Sequence, residues 1–373
     1  TDDIIALTSA QVAALSATQL GALSSAQLLA FDTADIASFS TTQLSGLTTA
    51  QIVALETGDF AAMKTAQIAA LSSAQVGALE TADVVALNTA QISSLTSTQI
   101  PALDRARIEA LATEDVASLK TSQLAALTSA QIGWLQSEDI RALSSKQVTG
   151  FTASQILALR TDQIAALETE DVAGFTSTQI TALSTAQINA LSTTQVAALK
   201  SAQVASLSTD QVAVLGTEDI VALNTSQISS LTSAQLRVLA NDRLQALATE
   251  DVAALGTVQL AALSTEQIRA LESVDFAALK SANLSAFSTD QLRALETSDI
   301  VAMSTAQIVA LTAAQFASLE GRQIAALETA DFASLKTTQA AALTAAQMPA
   351  ISDADILAMG STQVAALGTS AIR

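Results

Sequence analysis

At 373 residues, with 35 acidic and 16 basic side chains and a net charge of −19, the chain lacks the basic surface that nucleic-acid phosphates require. It holds no Cys and no His, which excludes disulfides, zinc sites, Cys nucleophiles and His general bases. No apolar run approaches the ~18 residues of a membrane-spanning helix, so no membrane insertion is expected.

The chain is organised in eights. From Leu7 to Leu367 every eighth residue, 46 in succession, is Leu, Phe, Met or Ile, with no insertion or deletion. Eight residues cannot bury a core alone, so the units must stack on one another as a solenoid. Residues 1–373 are expected to form a single continuous octapeptide-repeat solenoid. Because the chain starts at Thr1 and ends in mid-pattern at Arg373, we expect a processed protein or a section of a longer one.

One long helix is excluded, because eight residues leave the apolar columns drifting by roughly 80° per repeat. A very short helix in each unit is predicted instead, giving an all-α superhelix; the alternative is a β-solenoid. Ala at two or three positions per unit and the scarcity of Gly and Asn corners disfavour strands. A typical unit runs Ser184, Thr185, Ala186, Gln187, Ile188, Asn189, Ala190, Leu191. Its hydroxyl column, Thr185 here, is Thr or Ser in 39 of 47 units and is expected to N-cap the helix. Six of the eight exceptions carry Ser, Thr or Asp one residue earlier (Ser16, Asp104, Thr152, Thr312, Thr344, Ser352), so the cap is expected to shift by one there. Gln or Asp two residues after the hydroxyl column falls in the first helical turn, where an acid suits the positive end of the dipole. The Leu column, the Ile column (broken at Ala340) and the small column are expected to form the buried face. The two variable columns, holding Glu114, Arg141, Lys146, Glu170, Arg237, Arg269 and Arg293, are expected to face solvent.

A longer period overlies the first. Asp replaces Gln at 3, 35, 59, 83, 115, 139, 171, 219, 251, 275, 299, 331 and 355, with successive gaps of three or four octapeptides and one of six. The mean spacing predicts a superhelical turn of about 3.4 units with the Asp residues along one side. Arg107 and Arg243 break the Gln column, and Lys64, Lys120, Lys280 and Lys336 each open the unit after an Asp-bearing one. These are expected to form acid–base pairs that set register. Trp134, the one Trp, interrupts the small column and reads as a local packing accommodation. Glu168, Glu170 and Asp171 gather oxygen ligands and are the candidate calcium site, although no unit has the spacing of a known calcium loop. No nucleophile has a base beside it, so an enzyme is not expected and no cofactor is required.

Residues 127–132, Leu-Thr-Ser-Ala-Gln-Ile, resemble the opening of the TAL-effector repeat. That likeness covers six residues and lacks the base-reading loop, so DNA recognition does not carry over. Along its whole length the chain resembles the Ala-Leu-Thr-Thr-x-Gln-Ile-x octapeptide arrays of large secreted proteobacterial proteins, described as adhesin-like, haemagglutinin-like or type-I-secreted. That resemblance implies an extracellular or cell-surface location. With the exact period, it suggests a structural protein that self-associates into a fibre, sheath or filament. The alternative is a rod-like spacer or binding module of an adhesin, with a protein or glycan partner unspecified. The glycine-rich calcium repeats frequent in those proteins are absent here.

Overall fold

The computed structural model describes residues 2–368. Among them, 44 α-helices of four to six residues and two 3-10 turns follow one another, one element per octapeptide, with no β-strand. The fold is the all-α solenoid of short helices that the repeat predicts. Contacts divide the chain into two compact units, Thr1–Leu191 and Ser192–Arg373. In each unit a helix packs on the helix three octapeptides further along. In the first unit Thr113–Ser118 lies on Ser137–Ala142, which lies on Thr161–Ala166. In the second, Thr249–Ala254, Ser273–Ala278 and Thr297–Ala302 repeat that succession. Side-chain bonds between turns span 25 to 31 residues, so a turn takes between three and four octapeptides.

The six-residue helix Thr49–Ala54 ends because two residues in a row are extended. Leu55 (φ −62°, ψ 146°) closes one helix and Glu56 (φ −80°, ψ 151°) opens the next, which leaves no spare linker between them. The structure corrects the position of the cap. The N-cap is the residue after the Leu column, and the hydroxyl column is the first helical residue. Ser184, not Thr185, accepts from the Gln187 N–H, at 3.2 Å. Ser16, Asp104, Thr152, Thr312 and Ser352, read in sequence as shifted caps, accept at the ordinary cap position. Ser184→Ala should therefore cost ~1 kcal/mol in denaturant unfolding, and Thr185→Ala, at an exposed first-turn position, no more than ~0.5 kcal/mol. Equal losses would restore the sequence-based assignment.

The core consists of the Ile and Leu columns. Phe60, Phe276, Phe316 and Phe332 in the Ile column are completely enclosed. The third column of the expected buried face is corrected as well. Small residues such as Ala54, Ala62 and Ser94 are half-buried or exposed, whereas the Gln and Asp column is buried. The small column still serves close approach. A Cβ on Gly46 would stand 2.6 Å from the Ala17 Cβ and 2.9 Å from the Ala17 carbonyl oxygen, one turn back. Glu114, Arg141, Lys146, Glu170, Arg237, Arg269 and Arg293 face solvent as expected. Pro101 and Pro349 remove an N–H inside their units, and there the chain forms 3-10 turns, Ile100–Ala102 and Met348–Ala350.

Candidate functional site

The residue that joins one turn to the next is the Gln at the third helical position. In Gln51 the side-chain oxygen accepts the N-cap N–H of Thr48 at 2.8 Å and its hydroxyl at 3.1 Å. Its Nε2 donates to the Leu20 and Leu23 carbonyls at 2.7 and 2.8 Å, 31 and 28 residues earlier. The amide thus has two donors and two acceptor lone pairs, and all four are used. The Leu20 carbonyl also accepts the Leu23 N–H at 3.1 Å, whereas the Leu23 carbonyl, just past the end of the helix Ala17–Gly21, depends on the amide. Gln91, Gln155, Gln187, Gln267 and Gln323 repeat the pair of inter-turn bonds. Gln99 and Gln347 do so from the Pro-containing units, so the ladder persists where the helix does not.

Substitutions in this column keep parts of that chemistry. Asn283, one methylene shorter, donates to Leu255 at 3.0 Å. Arg107 donates through Nε to the Leu79 carbonyl, and Arg243 through Nη1 to Ala213 at 3.1 Å. Asp has no donor, and the ladder changes sign around it. Asp59 Oδ2 accepts the Glu56 N–H at 3.0 Å, while Oδ1 accepts the Thr33 hydroxyl at 2.8 Å. Asp83, Asp139, Asp299 and Asp355 take a hydroxyl from Thr57, Thr113, Ser273 and Thr329, each 26 residues earlier. In all five cases the donor sits in a unit that itself carries Asp, three units before the acceptor. The hydroxyl column therefore has a second use as the donor for an Asp one turn on.

Asp-bearing units three octapeptides apart are stacked, and most of these carboxylates are buried: Asp171 is 1% exposed and Asp331 3%. The expected register-setting ion pairs are absent among the described residues. Arg105–Glu109, Arg107–Asp104, Arg160–Asp162, Arg293–Asp290 and Arg322–Glu320 each join residues two to four apart, within one turn. Amides and hydroxyls set the register instead. The signal for this was the prevalence of Gln in one fixed column, because a primary amide offers two donors and two acceptors on one planar group.

Burial of Asp299 holds its carboxyl above the ordinary range, against opposing bonds from the Glu296 N–H and the Ser273 hydroxyl. Arg160 and then Ser137 pull Asp162 down to about 2. The two act in opposite senses on stability. The stability that Asp162 contributes is present above its unfolded value of 3.8 and is lost as pH falls through about 2. Asp299 binds its proton more tightly when folded, so its contribution falls as pH rises from 3.8 through its raised value. Asp299→Asn should raise the urea midpoint at neutral pH, with the gain shrinking in acid. Asp162→Asn should lower it at neutral pH, with the loss shrinking in acid. Parallel pH profiles for both variants would refute this assignment.

The candidate calcium ligands are not brought together. Asp171 Oδ2 is occupied by the Glu168 N–H at 3.0 Å, and the Glu170 carboxylate accepts from the Thr169 hydroxyl at 3.1 Å on the exposed side. Among the described residues no group of three or more His, Cys, Asp or Glu side chains is placed to hold a metal ion. No helix of the described residues is long and apolar enough to cross a membrane.

The repeat seen in the sequence and in the ladder is also a known sequence family. The profile described as the ALTTAQ repeat matches in twelve overlapping stretches, from residues 1–33 to residues 292–329. No curated protein matches the chain.

Proposed function

The chain belongs to the ALTTAQ repeat family, and on that premise we propose that it is a structural protein that self-associates into an extracellular fibre, sheath or filament. The observation that carries this reading is the buried amide ladder. The most regular polar residue of the repeat bonds one turn to the next, with no amide valence left over in residues such as Gln51. A turn offers amide donors on one side and carbonyl acceptors on the other, so stacking on this pattern is heterologous and does not close. The acidic, Cys-free composition suits export unfolded and without crosslinks. Sedimentation and negative-stain images over a micromolar concentration series test the proposal. Concentration-dependent filaments are expected. A compact species of constant mass would overturn self-assembly and leave the spacer of a larger adhesin as the reading.

A further inference from the structure

Departures from the repeat converge in space around Trp134. The indole stands where other units carry a small residue, at the end of the helix Ser129–Trp134. Arg105 and Glu109 come from the turn before, in a unit where Arg also replaces Gln at Arg107. Arg160 comes from the turn after. With Gly133 and Gln136 these residues line a cavity of about 310 Å³, within the range of small-ligand sites. In sequence Arg105 and Arg160 each stand between three and four octapeptides from the indole, one superhelical turn away on either side.

The polar groups of this cavity are held in place. Arg160 is fixed by Asp162, with Nε to Oδ1 at 3.0 Å and Nη2 to Oδ2 at 2.8 Å. Its Nη1 donates to the Gly133 and Leu135 carbonyls. Arg105 Nε bonds Glu109 Oε1 at 2.7 Å. The Gln136 amide donates to the Trp134 carbonyl at 3.3 Å, which turns its oxygen away from that contact. Both guanidinium charges are balanced by carboxylates, so the cavity does not select a charged ligand. It combines a half-buried aromatic face with fixed, neutralised donors and acceptors, and that combination fits a pyranose ring, whose C–H face packs on an aromatic while its hydroxyls both donate and accept. The protein's charge of −19 disfavours a polyanionic sugar.

We propose that the Trp134 cavity, walled by Arg105, Glu109, Gln136 and Arg160, binds a neutral saccharide. The site is independent of the filament reading, since it lies on the side of one array.

The chain has one Trp and no Tyr, so fluorescence excited at the indole edge reports this site alone. Titration of the full chain with cellohexaose, chitohexaose and maltohexaose should give a saturable change in emission with at least one of them. Trp134→Ala restores the small residue found at this position in other units and should keep the melting temperature unchanged or raise it. In calorimetry it should weaken binding of that sugar at least tenfold, and Glu109→Gln and Arg160→Ala should each weaken it severalfold. No saturable signal with any of the three sugars, or calorimetric binding that survives Trp134→Ala, would overturn the proposal. A lowered melting temperature for Trp134→Ala with unchanged binding would show that the indole only fills space.

Discussion

Gln323→Glu is expected to destabilise the protein by ~3–5 kcal/mol at neutral pH, the usual cost of an uncompensated buried charge. Gln323 is fully buried, with Nε2 at 2.8 Å from both the Leu292 and Leu295 carbonyls. The substitution is nearly isosteric and keeps an acceptor for the Glu320 N–H, now 2.9 Å from the amide oxygen. It replaces two donors by an anionic oxygen facing two carbonyl oxygens. The new carboxyl should therefore bind its proton more tightly in the folded state, and the penalty should grow as pH rises through that raised value. Urea unfolding from pH 4 to pH 8 checks both magnitude and slope. Gln323→Ala, which removes both amide bonds and leaves the Leu295 carbonyl without its donor but adds no charge, should show a loss without the slope. A pH-independent loss for Gln323→Glu would mean that the amide protons do not face those carbonyls.

The helical solenoid and the length of its turn were legible in sequence. Period, Ala content and the three- or four-unit spacing of Asp each have a direct geometric meaning, and the inter-turn bonds fall at 25 to 31 residues. The cap was misplaced because adjacent columns often both carry hydroxyls, as in Ser184 and Thr185. Composition alone cannot tell an N-cap from the residue after it. Burial of the Gln column was missed because polar residues are ordinarily exposed. The carbonyls of the preceding turn come within reach only when the chain coils. The surroundings of Trp134 were illegible for a related reason. Arg105 and Arg160 are more than three units from it in sequence and become its neighbours only when the chain coils.

A single Gly inserted between Leu95 and Thr96 should be more damaging than any one substitution. Every unit is eight residues long and its amide bonds reach back 28 and 31 residues, so an extra residue throws everything after it out of register. It displaces every bond that crosses the insertion, including those from Gln99 to Ile68 and Leu71 and from Gln123 to Leu95. With several inter-turn bonds at ~1 kcal/mol each and the core columns shifted, a loss above ~5 kcal/mol is expected. Deletion of residues 88–95, one whole octapeptide, should cost far less. Every Gln then still meets a Leu-column and an Ile-column carbonyl one turn back, because the period is kept. Asp115 would meet Thr81, the donor-column hydroxyl one turn back in the shortened chain. Thermal unfolding of the two variants, compared with the parent, checks the ranking.

Buried glutamine side chains bond successive turns. Hydrogen exchange of the side-chain amide protons, followed by nuclear magnetic resonance, tests this most directly. Gln51, Gln91 and Gln323, each 0–2% exposed, should keep both amide protons far longer than the exposed Gln11, Gln19 and Gln136. Uniformly fast exchange across all glutamines would contradict it.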